Sequence, residues 1–111
     1  MLADRLTAMK KLEIVVLGEH IGDVREMLAE YVSGYTQIAP VSGLGHHGYH
    51  EGRLLFNDDS AQAMIVTVIR PEVLEPLLEG LLPLLERHSG VVWMTDVSVS
   101  RAAYFDPSSS G

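Results

Sequence analysis

The sequence predicts one α+β domain in which two helices cover one face of a four-stranded antiparallel sheet. Short runs rich in β-branched residues alternate with stretches whose apolar residues recur at helical spacing, and glycines and prolines separate them. The length of 111 residues suits a single domain. The hydrophobic fraction of 47% is typical of a packed core and not of a disordered chain.

The first half of the chain predicts a strand, a helix and a second strand. Residues 12–17 (LEIVVL) form the first strand. From Ile21 the apolar residues follow one helical face as far as Val32, and Gly34 ends the helix. Residues 35–42 form the second strand, and we expect it at an edge of the sheet because Pro40 has no N–H to donate.

The second half predicts a strand at residues 61–69, a leucine-rich helix that begins at Pro71, and a strand at residues 91–99. Pro76 and Pro83 are expected to bend or break this helix. The resulting order, βαββαβ, is the ferredoxin-like pattern. The predicted domain covers residues 11–105, with an N-terminal extension at 1–10 and a flexible tail at 106–111.

Apolar residues occupy both faces of the predicted strands. In the first strand, Val15 and Leu17 point opposite to Ile14 and Val16, and the third strand repeats this arrangement. The helices can cover only one face, so we expect other copies of the chain to cover the second.

Composition excludes several classes of function. The formal net charge of -7 argues against a nucleic-acid binder, which needs a basic face. Without cysteine the chain has no disulfide, thiolate metal site or thiol nucleophile, which suits a cytoplasmic protein. No apolar run reaches the length of a membrane span, and residues 1–12 lack the apolar core that a signal peptide is expected to have.

Residues 43–60 show neither helical nor strand periodicity and contain four glycines and three of the five histidines. The segment GLGHHG at 43–48 fits the G-x-G-x-x-G spacing, but no helical pattern follows it, so a dinucleotide-binding fold is not predicted. Two interpretations remain open: an anion-binding nest of backbone amides, or a flexible hinge.

Histidines and carboxylates are the candidates for metal binding and catalysis. His46, His47 and His50 could ligate zinc, copper or nickel, but a solvated or partner-contacting loop is the preferred interpretation, because adjacent histidines seldom reach one ion. His20 is predicted in a turn and His88 at a helix C-terminus, while Trp93 and Met94 are assigned to the core. The sequence has no nucleophile elbow and no evident carboxylate pair, so it does not predict an enzyme.

The order of elements, together with the segments GYT at 34–36 and PVSGLG at 40–45, resembles the PII signal-transduction superfamily. The resemblance covers residues 11–104 and is greatest to PII-like proteins associated with carboxysomes and bicarbonate transporters. It implies a homotrimer that binds adenine nucleotides in clefts between subunits. It also implies that residues 43–60 are a T-loop, which changes shape with ligand and contacts a protein such as a bicarbonate transporter or carboxysome component.

The resemblance also assigns residues to a nucleotide site. It implies phosphate contacts from the T-loop base, formed by Gly43, Leu44, Gly45 and His46, and from Arg101 in the C-terminal segment. It also implies that Tyr35 and Thr36 line the adenine pocket along the second strand. The neighbouring subunit's B-loop would close the cleft with His88, Ser89 and Gly90.

Departures from nitrogen-sensing relatives refine the expected ligands. The B-loop is short, and Ile65 stands where a lysine would bind 2-oxoglutarate, so that ligand is not expected. Few basic residues line the cleft, which suggests a modest affinity or a preference for ADP or AMP over ATP; ATP and cyclic AMP stay as alternative ligands. The expected bicarbonate donors are Gly45, His46, His47, Gly48 and Arg53, although Arg53 has an equal alternative as a solvated or partner-contacting charge.

Three functional hypotheses follow. The leading one is a non-enzymatic sensor of carbon status that binds an adenine nucleotide and bicarbonate. The second is a metal-binding protein of similar architecture that uses His46, His47 and His50. The third is a constitutive docking loop without a ligand.

Overall fold

The computed structural model describes residues 1–41 and 61–106, with the side chains of residues 39–41 left aside. Its strands are β1 (Thr7–Leu17), β2 (Thr36–Val41), β3 (Gln62–Ile69) and β4 (Val91–Val99), and its α-helices are α1 (Ile21–Leu28) and α2 (Leu74–Arg87). The strands form one antiparallel sheet in the order β2-β3-β1-β4. The ferredoxin-like α+β fold is confirmed, and β2 lies at an edge as Pro40 predicts.

Strand β1 begins at Thr7, well before the predicted start at residue 12. Thr7 pairs with Val99 of β4, and Lys10 pairs with both Ile69 of β3 and Asp96 of β4. Residues 7–10, predicted as part of an N-terminal extension, therefore belong to the sheet. Pairing with β4 holds this short stretch, in which Met9 is buried, although its residues carry little strand signal of their own.

Helix α2 runs unbroken through both prolines, so the expected break is wrong. Pro76 lies in the first turn, where its missing N–H would have no partner inside the helix. Pro83 lies within the helix, and buried leucines on both sides hold it against the sheet: Leu77, Leu81, Leu84 and Leu85. Packing therefore outweighs the lost hydrogen bond.

The core lies between the helices and one face of the sheet. Its strand side chains include Leu12, Ile14 and Ile65, and its helix side chains include Val24 and Leu77, all essentially inaccessible to solvent. Among the described residues, no buried side-chain N or O atom lacks a hydrogen-bond partner.

The opposite side of the sheet, called the open face here, also carries apolar side chains. By the strand register it presents Val15, Met64 and Val66 near its centre, with Ile38 on the outer strand β2. Val15 is buried and the next two are half-buried, but Ile38 is 48% exposed. The face is therefore too apolar for full exposure to water and is only partly covered within one chain.

Trp93 and Met94 are not core residues of the single chain, contrary to expectation. They lie on the outer strand β4 and are 44% and 46% exposed. Trp93 Nε1 donates a hydrogen bond of 2.9 Å to Glu13 Oε1, on the opposite position of β1. On this outer strand both side chains stay at the surface, and Trp93 is held by its hydrogen bond to the neighbouring strand.

Candidate functional site

Four chain segments meet at one end of the sheet, called the loop end here. β1 and β2 finish there, and β3 and β4 begin there. Val41 pairs with Gln62, and the amide of Gly18 donates a 2.7 Å hydrogen bond to the Ala61 carbonyl. The segment at 42–60 therefore leaves and re-enters the sheet through two adjacent, hydrogen-bonded strands.

The α2–β4 turn, made by His88, Ser89 and Gly90, lies at the same end. Ser89 takes a positive φ of 55°, and the Gly90 amide donates a 2.8 Å bond to the Leu85 carbonyl. This is the Schellman arrangement that closes helix C-termini. A Cβ at Gly90 would stand 2.7 Å from Leu85 Cδ2 and 3.1 Å from the Val15 carbonyl oxygen, so the turn is packed against the core.

Strand β2, which leads into the predicted loop base, and the α2–β4 turn lie on opposite edges of the sheet. The turn precedes β4, and β3 and β1 separate β4 from β2. Three strand spacings amount to about 14 Å. Among the described residues, one chain therefore does not bring the end of β2 and the turn together.

Tyr35 and Thr36 begin β2, and both are exposed. The turn before them is fixed by Thr67, a buried residue whose hydroxyl donates a 3.0 Å hydrogen bond to the Gly34 carbonyl. Sequence reasoning missed Thr67. The signal that could have identified it is a single hydroxyl at a core-facing position of β3, where the other core-facing residues are apolar.

Gly90 and Arg101 lie beyond opposite ends of β4, whose nine residues span about 27 Å. Its guanidinium lies 5.5 Å from the centre of the Tyr104 ring. The segment is anchored by Arg70, which binds both carboxylate oxygens of Asp106 at 2.6 and 3.2 Å. Asp106, the first residue of the predicted tail, is therefore held, and the Arg70 guanidinium lowers its pKa.

Two histidines and an aspartate meet beside the α2–β4 turn. The rings of His20 and His88 stack with their centres 3.8 Å apart, and His88 Nε2 lies 3.7 Å from Asp23 Oδ2. His20 ends a 3₁₀ turn and His88 follows α2, as predicted, but sequence reasoning did not bring them together. Contacts between residues so distant in sequence leave no periodic signal.

The remaining predicted site residues lie outside the described residues, so their roles stay predictions. They belong to the nest, the bicarbonate site and the alternative metal site: Gly43, Leu44, Gly45, His46, His47, Gly48, His50 and Arg53. Ile65 is described, and it is fully buried in the core.

Comparison with protein families identifies the family to which this architecture belongs. The family model described as nitrogen regulatory protein P-II matches residues 9–104. The chain belongs to the PII family. PII signalling proteins are regulators and not enzymes, so the expectation of a non-enzymatic protein is confirmed.

Solved structures of PII-like proteins resemble this PII protein along most of its length. CPII from Thiomonas intermedia K12, bound to ADP, AMP and bicarbonate, is 44% identical, with 90% of this chain and 95% of that chain covered and a TM-score of 0.78. Its apo form is 39% identical over 85% and 94% of the two chains, with a TM-score of 0.67. A putative PII-like signalling protein from Thermus thermophilus, 20% identical over 90% and 97% with a TM-score of 0.73, shares the fold.

A comparison with curated proteins gives no significant match. No helix within residues 1–41 and 61–106 is long and apolar enough to cross a membrane.

Proposed function

We propose that this PII-like signalling protein binds ADP or AMP in clefts between the subunits of a homotrimer and senses carbon status through bicarbonate. The observation that carries the proposal is the 44% identity, over 90% of the chain, to a protein crystallised with ADP, AMP and bicarbonate. Two further features of the chain support it.

The position of the candidate residues supports a site between subunits. The end of β2, which leads into the loop base, and the α2–β4 turn lie at the same end of the sheet but on opposite edges. A neighbouring copy would bring its α2–β4 turn against the loop base of the first. The half-covered open face supplies the apolar surface that such an assembly needs.

Bicarbonate sensing would work by linkage between two ligands. In the proposal, the amides and imidazoles at Gly45, His46, His47 and Gly48 meet the anion, and Arg53 closes over it. Nucleotide and bicarbonate then favour the same T-loop state, so each tightens the binding of the other by the same factor. Coupling of this kind typically amounts to about 1–3 kcal/mol, or about 5–150-fold in affinity. The T-loop state would be read by a protein partner, such as a bicarbonate transporter or carboxysome component.

Calorimetry tests the ligands directly. The full chain is titrated with AMP, ADP, ATP and cyclic AMP, each with and without bicarbonate, at fixed pH and ionic strength. We expect the highest affinities for ADP and AMP, and a higher ADP affinity with bicarbonate present. Absence of binding to all four nucleotides would contradict the proposal.

Replacement of Arg101 tests its assigned phosphate contact. Arg101→Gln removes a charge-assisted hydrogen bond of about 1.5–3 kcal/mol, so the ADP affinity should fall by about tenfold or more. Arg5→Gln is the matched control, because Arg5 is exposed in the N-terminal 3₁₀ turn and has no assigned ligand contact. Equal ADP affinities of the two variants would remove Arg101 from the site.

A further inference from the structure

Three ligating side chains converge where α1 begins and α2 ends. His20 precedes α1, Asp23 lies in its first turn, and His88 follows the last residue of α2. Their nearest ligand atoms all lie within 4.8 Å of one another. None of the three has a place in the bicarbonate site, and the nucleotide assignment uses only His88.

We propose that His20, Asp23 and His88 bind a divalent transition-metal ion, with Zn²⁺ the best match. Two imidazoles and one carboxylate form a borderline ligand set that suits zinc and neighbouring metals, and not Mg²⁺ or Ca²⁺. Three protein ligands leave the fourth tetrahedral position for water or another ligand. The site shares His88 with the proposed nucleotide cleft and no residue with the proposed bicarbonate site, so it is tested without nucleotide.

The distances are close to those that zinc requires. Bonds of about 2.0–2.1 Å in a tetrahedral site place neighbouring ligand atoms about 3.3 Å apart. The separation of His88 Nε2 and Asp23 Oδ2 is already 3.7 Å, which is too long for a hydrogen bond. The metal ion would fill the gap that these atoms leave.

One imidazole must turn for ligation. The planes of the stacked rings differ by only 19°. Because each nitrogen lone pair lies in the plane of its ring, the two lone pairs lie in nearly parallel planes and do not converge on one point. Rotation about the Cβ–Cγ bond of either ring corrects this without moving the backbone. Both histidines are half-buried and Asp23 is exposed, so the ion can enter from solvent.

The surrounding charge favours a cation. Asp23 also lines an open groove between the helices, together with the carboxylates of Glu26 and Glu30 and the guanidinium of Arg87. Three negative groups against one positive group give this groove a negative potential, which raises the local concentration of cations.

Zinc calorimetry on the EDTA-treated full chain, without nucleotide, tests the site. We expect one Zn²⁺ per chain, and an affinity that falls with acidification, because protons compete for the imidazoles. Co²⁺ in place of Zn²⁺ should give the intense visible bands of a tetrahedral complex. Zinc should also raise the melting temperature, because it joins α1 to α2.

Paired variants assign the ligands. His20→Gln and His88→Gln should each weaken zinc binding by more than about tenfold, since even outer-shell partners of metal ligands contribute about 10–100-fold. His50→Gln, the same substitution in the T-loop, should leave the affinity unchanged. Asp23→Asn should weaken binding, whereas Glu75→Gln, the same loss of charge in the first turn of α2 and away from His88, should not.

The outcomes separate this proposal from the others. Wild-type zinc affinity in His20→Gln and His88→Gln, or a loss of binding in His50→Gln alone, would overturn it. Should a histidine variant fail to fold by circular dichroism, the exposed Asp23 decides: unchanged affinity in Asp23→Asn overturns the site. Failure here leaves nucleotide binding untouched, because the titration contains no nucleotide.

Discussion

Two glycines, one in the middle of α2 and one just after its end, have different surroundings. A Cβ at Gly80, inside α2, would approach Met27 Cε at 3.0 Å, the flexible end of a half-buried side chain. A Cβ at Gly90 would approach Leu85 at 2.7 Å and a backbone oxygen at 3.1 Å, which cannot move aside cheaply. One glycine therefore weakens the helix, while the other is required by packing.

Alanine at these two positions should change the stability in opposite directions. Gly80→Ala should raise the free energy of unfolding by about 0.5–1 kcal/mol, the helix preference of alanine over glycine. Gly90→Ala should lower it by about 1–3 kcal/mol, the usual effect of overpacking. Urea unfolding of both variants measures the difference, and equal effects would contradict the packing argument.

Thr67 is the residue on which the start of β2 depends. Thr67→Val keeps the side-chain shape but leaves the Gly34 carbonyl without its 3.0 Å partner. Since Gly34 is exposed and water can reach its carbonyl, we expect the loss of a typical hydrogen bond, about 0.5–1.5 kcal/mol, in urea unfolding. Thr95→Val on the exposed surface of β4 is the control and should change little. If Thr95→Val lowered the free energy of unfolding as much as Thr67→Val, the loss would come from replacing a strand threonine by valine and not from the missing hydrogen bond to Gly34.

At the scale of elements, an ion pair joins the end of the C-terminal 3₁₀ turn (Ala102–Phe105) to the residue that follows β3. Arg70, just after β3, binds both oxygens of Asp106. This hydrogen bonding lowers the pKa of Asp106 below its ordinary value of 3.8. The turn is thus attached by a contact that depends on an ionised carboxylate.

Acid should release this turn before the sheet unfolds. Because the pKa of Asp106 is lowered in the folded state, the stabilisation is complete above its ordinary value of 3.8 and is lost as the pH falls through the lowered pKa. Amide hydrogen exchange of residues 102–106 should rise over that range while exchange in β1 does not. Asp106→Asn should show the fast exchange already at pH 7; slow exchange in this variant would contradict the role of the ion pair.

The elements also show how far sequence reasoning reaches. Apolar periodicity and the edge signal of Pro40 predicted the fold and the position of β2, because both depend on local chemistry. Periodicity missed the polar start of β1 and the exposure of Trp93, which depend on pairing with other strands. The resemblance supplied the nucleotide residues, while the His20–His88 contact and the Thr67 bond arise only from tertiary packing.

At the scale of the whole molecule, the open face determines whether the chain is stable as a monomer. Its central residues Met64 and Val66 are half-buried although no helix covers them. In the proposed trimer these side chains pack against other copies, and the nucleotide cleft exists only after assembly. Assembly and ligand binding should therefore be lost together.

A charge on the open face should separate the subunits. Val66→Lys places an ammonium group in the proposed interface, so light scattering should give one chain of 12.2 kDa instead of about 37 kDa for three. ADP binding should disappear with the trimer. Leu82→Lys, the matched change at an exposed position of α2, should remain trimeric. A trimeric Val66→Lys variant would contradict this interface.

The pairing of Val41 with Gln62 has a consequence for how the T-loop can change over evolution. The paired strands hold the two ends of this segment together, so lengthening the segment adds the entropy of closing a longer chain. Each doubling of a flexible loop adds only about 0.6 kcal/mol to that entropy cost. Insertions and new recognition sequences between these two residues are thus nearly free of a stability penalty, and partner choice can diverge among relatives while the sheet stays unchanged.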